Sequence, residues 1–377
     1  MSHSDTPRIP DNSGTPRDLR ATAHPLAPYG WDEHTAEAFA PYGRQGLVPA
    51  RVVRVDRGRC DAVTADGTVR ADTAPVASPD PVRAVCTGDW AALDPGTGGL
   101  PAVRALLPRR TAFVRSASST RSEGQVLAAN VDHAVIAVSL AVEPDLGRLE
   151  RFLALAWESG AQPLVVLTKT DLAPDTAHAV ADAEAAAPGV TVLPVSAVTG
   201  EGLDVLAAAL GGGTAVLLGQ SGAGKSTLVN ALVGQEVLAV QETRARDGKG
   251  RHTTTARELF ALPGGGVLID TPGLRGVGLW DAGDGVGRTF PDIEELARAC
   301  RFHDCAHAAE PGCAVLAAVD DGTLPERRLE SYRKLLRENQ YLAARTDARL
   351  RSELRRDWKQ KQALGRHMME RKRGPRR

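Results

Sequence analysis

The chain has 377 residues, 42% of them apolar, which is ample for buried cores in two or three domains and excludes a chain too polar to fold. Acidic and basic residues balance at 46 each, yet residues 351–377 carry eleven Lys/Arg against Glu353, Asp357 and Glu370, a tail suited to a polyanion or to plain solvation. No apolar run of about eighteen residues exists and Met1-Ser2-His3-Ser4-Asp5 lacks a secretory pattern, so a cytoplasmic chain away from membranes is expected.

In chain order, residues 1–46 are rich in Pro, Gly, Asp, Ser and Ala, and are expected to form a disordered extension. Residues 47–112 have a β texture. Val52, Val53 and Val55 precede the run Cys60 to Thr64, and Asp66-Gly67 is a hairpin signal. Trp90 to Leu93 and Val103 to Leu107 supply further strands. So many short strands in so few residues predict a small barrel of the oligonucleotide-binding (OB-like) kind. Residues 113–130, basic and then Ser-rich, read as a connector.

Residues 131–290 alternate between strand and helix patterns. Strands are expected at Asp132–Leu140, Pro163–Leu167 and Val190–Pro194, with helices at Leu146–Glu158, Ala177–Ala187 and Gly202–Leu210. Near-continuous apolar strands between helices predict an α/β domain with a mostly parallel sheet covered on both faces. Residues 291–377 hold a cysteine cluster and a helical C-terminus with Leu329, Tyr332 and Leu336 on one stripe.

The chemistry begins at Gly219-Gln220-Ser221-Gly222-Ala223-Gly224-Lys225-Ser226-Thr227, which fits G-x-x-x-x-G-K-[ST] between a strand and a helix. Glycines let the backbone wrap a phosphate, and successive N–H groups form an anion nest at a helix start. Lys225 is expected on the β- and γ-phosphates and the Ser226 hydroxyl on Mg²⁺. Asp270-Thr271-Pro272-Gly273 closes the next strand, with Asp270 able to hold Mg²⁺ through water and the Gly273 amide able to bond a γ-phosphate. Between these motifs, Gly248 to Thr255 has the polar, Gly-rich texture of a switch.

Two further motifs lie upstream of the phosphate loop, the reverse of the usual order. Thr168-Lys169-Thr170-Asp171 fits a guanine reader, because a carboxylate at Asp171 can accept from both N1–H and the amino group. Lys169 can lay its stem over the ring. Ser196-Ala197 can back the base through a main-chain N–H. A pocket needs proximity in space rather than a given chain order, so the pattern is a circular permutation. Leu274 follows Gly273, so no Gln orients water there. His252 is the local substitute, or else a switch histidine that touches backbone or RNA.

Cys300, Cys305, His307 and Cys313 form C-x4-C-x-H-x5-C, a closed four-ligand set suited to one structural Zn²⁺, with His303 as a competitor for the fourth place. Clustering of this kind favours a metal over disulfides, and Cys60 and Cys86 are expected simply to pack.

With these residues in place, the chain resembles the RsgA family, circularly permuted GTPases of small ribosomal subunit assembly. The resemblance spans roughly residues 47–345 and rests on Gly219 to Thr227, Gly250-Arg251-His252-Thr253-Thr254, Asp270 to Gly273 and Cys300 to His307. It implies a circularly permuted P-loop GTPase domain between an OB-like barrel and a zinc-binding helical domain. It also implies 16S rRNA contact, hydrolysis stimulated by the 30S subunit, binding in the GTP state and release with GDP. His252 matches the histidine proposed for catalysis there. Thr168, in place of Asn, and the long N-terminal extension depart from the pattern. The reading is a monomeric GTP hydrolase of late 30S maturation. An RNA-binding scaffold with a structural nucleotide site is the alternative, and an ATP-driven enzyme a more distant one.

Overall fold

The computed structural model describes residues 24–96, 99–116, 124–238, 257–271 and 283–346, with Arg349, Ser352 and Arg356 beyond them. Its first element corrects an expectation. Residues 24–46 are structured: a 3₁₀ turn at Ala27–Tyr29 leads to helix α1 (Glu33–Gly43). Asp32 caps α1, its carboxylate accepting from the Thr35 backbone N–H at 2.8 Å and the Thr35 hydroxyl at 2.6 Å. Leu26 and Phe39 bury themselves with Val63, Trp90 and Leu107, and Trp31 meets Trp90 edge-on at 5.2 Å. A few large side chains spaced along a polar stretch are enough to seat it, although its average composition reads as disordered.

Strands β1 (Val48–Asp56), β2 (Arg59–Thr64), β3 (Gly67–Asp72), β4 (Trp90–Asp94) and β5 (Ala102–Leu106) follow. They pair in the order β1-β2-β3-β5-β4, and β4 returns to β1, so the sheet closes into a five-stranded barrel without free edges. Small side chains fill it: Ala50, Ala62, Ala71 and Ala91 among Val52, Leu93 and Val103. Burial pushes the Cys60 thiol up to about 11 and Cys86 up to about 12, so both stay protonated and pack as apolar groups. Where a connector is expected, β6 (Ala112–Ser116) and β7 (Gly124–Ala129) form an antiparallel hairpin with Phe113 buried.

The α/β domain runs β8 (His133–Ser139), α2 (Leu146–Ser159), β9 (Gln162–Thr168), α3 (Thr176–Ala186), β10 (Val192–Val195), α4 (Leu203–Leu210), β11 (Thr214–Gly219), α5 (Lys225–Val233), β12 (Glu258–Ala261) and β13 (Val267–Asp270). Strand order is β10-β9-β8-β11-β13-β12, parallel except for β12, a strand whose four residues carry no readable sequence period. Every residue of β11 is buried, as a central parallel strand requires. Helices α4 and α5 cover one face through Leu206, Leu210, Leu228 and Val229. On the other face lie α2 and α3, joined by α6 (Gly283–Thr289), α7 (Pro291–Ala297), α8 (Ala314–Asp320) and α9 (Glu326–Thr346).

Two buried arginines bind these parts together. Arg51 of β1 is fully buried at the barrel's junction with β11, donating to the Thr214 hydroxyl at 3.0 Å and lying 4.7 Å from the Trp90 ring centroid. Arg328 of α9 donates to both Asp292 oxygens, to Glu150 at 3.0 Å, and to the carbonyls of Ala186 and Thr289. Glu150 is itself fully buried on α2. Without Arg328, buried Glu150 keeps only the part-exposed Arg327 and Asp292 loses both of its bonds, so Arg328→Ala is expected to lose about 3–5 kcal/mol of stability. Urea unfolding would read this as a lower midpoint, whereas an unchanged midpoint would show that the network holds nothing together.

Candidate nucleotide site and metal centre

Parallel register delivers the motifs to one edge. Ser139 ends β8 opposite Thr168 at the end of β9, Thr168 lies opposite Val195 at the end of β10, and Gly219 ends β11 opposite Ala137. Asp270 ends β13 on the same side. Crevices outside the carboxyl ends of such strands are where α/β folds bind ligands.

The phosphate loop turns at Gly219, where φ is +139° and a Cβ would lie 2.5 Å from the Ala137 carbonyl oxygen. No side chain fits that approach. Gly224 at φ +78° starts α5, and Ser226 and Thr227 follow Lys225 in its first turn. The Lys225 ammonium lies over the concave loop, donating to the carbonyls of Gly219 at 2.9 Å and Gln220 at 2.6 Å. Asp270 is buried nearby. Burial raises its carboxyl above the usual range while Lys225 opposes the rise. Thr271 ties this strand end to the loop's own strand, its hydroxyl donating to Leu217 at 2.9 Å.

The upstream motifs reach the same loop. The Thr168 hydroxyl donates to the Ala223 carbonyl at 2.8 Å, and the Lys169 ammonium to the Gly222 carbonyl at 2.8 Å. Lys169 adopts φ +61°, a left-handed conformation that a non-glycine residue holds only when its surroundings impose it. Asp171, one residue past the buried Thr170, accepts from the Ser196 hydroxyl at 2.6 Å. Ser196 is fully buried and in turn accepts from the backbone N–H groups of Val198 and Thr199, with half-buried Ala197 between. One Asp171 oxygen is therefore oriented by a fixed donor.

His252 and Gly273 lie outside the described residues. A cavity of about 270 Å³ beside Gln220–Ala223 is lined also by Ser139, Glu143, Asp145 and Arg148. The segment around Glu143 matches no motif, and only its position after β8, the neighbour of the loop strand, could have flagged it.

The metal candidate is compact. The ligand atoms of Cys300, Cys305, His307 and Cys313 all lie within 4.8 Å of one another. His303 is exposed and outside this group, which leaves His307 as the fourth donor. Tetrahedral zinc with bonds of about 2.3 Å to sulfur and about 2.0 Å to nitrogen needs edges of about 3.8 Å between sulfurs and about 3.5 Å between sulfur and nitrogen. Cys300 and Cys313 sulfurs are 3.8 Å apart, and the His307 Nδ1 stands 3.6 Å and 3.4 Å from them. His307 takes φ +53° to reach this place. The donor set and its spacing fit zinc.

A phosphate-loop strand flanked by parallel strands, with its base-side motifs supplied from earlier in the chain, defines a circularly permuted P-loop GTPase. A family model described as RsgA GTPase matches residues 106–280. The small ribosomal subunit biogenesis GTPase RsgA of Streptomyces coelicolor is 71% identical over 352 residues, 93% of this chain and 96% of that one. Its namesake in Streptomyces avermitilis is 68% identical over 365 residues, covering 96% and 98%. YjeQ from Thermotoga maritima aligns with a TM-score of 0.57 at 25% identity, covering 78% of this chain and 98% of that one. YloQ, described as a circularly permuted GTPase, aligns with a TM-score of 0.56 at 23% identity, a likeness of fold over 78% of this chain and 95% of that one. The chain belongs to the RsgA family and is a GTP hydrolase.

Thr168→Val keeps the side chain's shape and deletes its only donor. Losing the bond to Ala223 is expected to weaken GTP binding about tenfold, roughly the 1–1.5 kcal/mol of one buried hydrogen bond. Titration with a fluorescent guanine nucleotide would measure it, and unchanged affinity would show that the loop needs no brace from this residue.

Proposed function

We propose that the chain binds the small ribosomal subunit and its 16S rRNA in the GTP state, and that hydrolysis late in 30S maturation releases it. The observation that carries the nucleotide half is the contact of Thr168 and Lys169 with Ala223 and Gly222. It unites a base-side motif with a phosphate loop more than fifty residues later. For the ribosomal half, support comes from relatives named for small-subunit biogenesis and from the closed barrel, whose β1–β2 turn exposes Arg57 and Arg59.

In this reading the backbone N–H groups of Gly219 to Thr227 hold the phosphates, and Lys225 leaves the loop carbonyls to neutralise the β- and γ-oxygens. Asp171 accepts from the guanine N1–H and amino group, Lys169 covers the ring, and the Ala197 amide meets the base's carbonyl. The Ser226 hydroxyl and the buried Asp270 carboxylate are hard oxygen donors that fit Mg²⁺. Magnesium bound with GTP supplies positive charge against the charge that develops on the phosphoryl oxygens. The Gly273 amide bonds the γ-phosphate, and the His252 imidazole orients the attacking water. With no glutamine after Gly273, basal hydrolysis is slow until the 30S subunit completes the site. One structural zinc at Cys300, Cys305, His307 and Cys313 shapes the C-terminal domain. The protein acts as a monomer in the cytoplasm, where the subunits mature.

Purified 30S subunits are expected to raise GTP turnover by orders of magnitude, and 50S subunits and ATP to do nothing comparable. His252→Ala should lower the stimulated rate while leaving GTP affinity intact. Lys225→Ala should stall the cycle, and a scaffold with a structural site would tolerate it. Turnover indifferent to 30S would end the ribosomal reading. Elemental analysis should find one zinc per chain and none in Cys313→Ser.

A further inference from the structure

Helices α2 and α9, one from the GTPase domain and one from the C-terminal region, face each other across a cleft of about 410 Å³. Arg148 and Arg151 line it from α2; Arg327, Ser331 and Lys334 line it from one face of α9. Carboxylates are present too. Glu338 takes one Arg151 nitrogen at 2.7 Å, Glu150 takes one Arg327 nitrogen at 3.0 Å, and Asp145 lies 3.5 Å from Arg148. Among the described residues, each pair leaves most of the five N–H donors of its guanidinium without a partner. Among the described residues, Glu330 is the one lining carboxylate with no cation partner, and Lys334 is exposed with no ion pair or hydrogen bond. Arg148 and Arg327 each keep 43% of their side chains exposed. The result is a part-exposed, donor-rich slot with several N–H groups converging from two directions. That is the chemistry that recognises a phosphodiester oxygen, and not an apolar ligand.

The slot also has an inner wall. Asp145, Arg148 and Phe152 line both this cleft and the cavity beside Gln220–Ala223. The first turns of α2 therefore border both the outer slot and the cavity beside the phosphate loop. We infer that the α2–α9 cleft receives a backbone phosphate of ribosomal RNA, and that Arg148 carries its occupancy to the phosphate loop. The inference rests on the proposed small-subunit function and gives it a contact point and a route for stimulation. Arg148 is in this sense a positioning residue: pulled toward an RNA phosphate, it alters the loop-side cavity without touching the reacting atoms.

The test uses the full-length protein and purified 30S subunits at several salt concentrations. Lys334→Glu, an exposed change, is expected to leave basal GTP turnover unchanged, weaken 30S binding at least severalfold, and lower the salt slope by about one phosphate contact. Arg148→Gln should bind 30S within a fewfold of wild type yet stay poorly stimulated at saturating subunit. Lys334→Glu with wild-type affinity and salt slope overturns the cleft. Arg148→Gln with full stimulation overturns the route inward. A photo-crosslinker on Lys334→Cys should label 16S rRNA, and labelling of a ribosomal protein instead overturns the RNA assignment. If wild type itself neither binds nor responds to 30S, the function beneath the inference falls, and that outcome is distinct from a wild type that responds while the variants match it.

Discussion

Two hydrogen bonds at 2.8 Å, from the Thr168 hydroxyl to the Ala223 carbonyl and from the Lys169 ammonium to the Gly222 carbonyl, are where the upstream motif meets the phosphate loop. Parallel pairing across β9, β8 and β11 puts Thr168 and Gly219 on one edge, and no path along the chain could do so, since 51 positions separate them. The order in which a chain visits a sheet is free as long as each strand keeps its neighbours and direction. Permutation therefore costs the pocket nothing and changes what hangs from it. Here the barrel and the β6–β7 hairpin precede the base-reading strands, and the zinc-fitting helices follow the strand that ends in Asp270.

A GTPase with domains on both sides can signal only if those domains do not swivel freely. The two buried arginines supply that restraint by different physics. Arg328 satisfies every side-chain nitrogen against Glu150, Asp292 and two carbonyls, so its charge is neutralised where it sits. Arg51 has no carboxylate in contact. Desolvation lowers it to about 10, still high enough to stay charged at neutral pH, and its Nε and Nη1 find no hydrogen-bond partner among the described residues. The Trp90 ring and the Thr214 hydroxyl are its main company, with Asp132 and Asp89 acting at longer range. Burial of a poorly partnered cation is tolerated only where surrounding structure over-determines the position. That structure is the ordered N-terminal segment, whose Trp31 packs edge-on against Trp90 and whose Asp32 holds Arg110 at 2.7 Å.

Repeated local signals were the legible part of this chain. The consecutive apolar residues of β8, β9 and β11 read as buried parallel strands to within a residue or two, and the glycine and cysteine spacings carried the loop and the metal cluster. What failed to show depended on single contacts over long separations. Glu150 and Arg328 lie 178 positions apart, and each alone reads as a charged helix-surface residue. Leu26 and Phe39 sit in a Pro- and Gly-rich stretch, so their average surroundings concealed two well-seated anchors. The β6–β7 hairpin was hidden because a basic, Ser-rich texture describes its surroundings better than its strands. Position His252 in the sequence is plain, while its role depends on a geometry beyond the described residues.

The same close-packing logic bears on how a nucleotide signal leaves the site. Past Asp270 the chain re-enters the described structure as α6, which lies against α2 so tightly that a Cβ on Gly285 would stand 2.2 Å from the Ala154 carbonyl oxygen. The Gly285 N–H donates to Glu158 at 3.0 Å, and Arg288 stacks 3.9 Å over Trp157. Helix α6 is thus clasped to the C-terminal half of α2, while the N-terminal turns of α2 border the phosphate loop and the basic cleft. Glycine contact lets the two helices approach, and the Glu158 hydrogen bond and the Arg288–Trp157 stack hold them there. Helix α2 therefore joins the α6 contact at one end to the cavity beside the phosphate loop at the other.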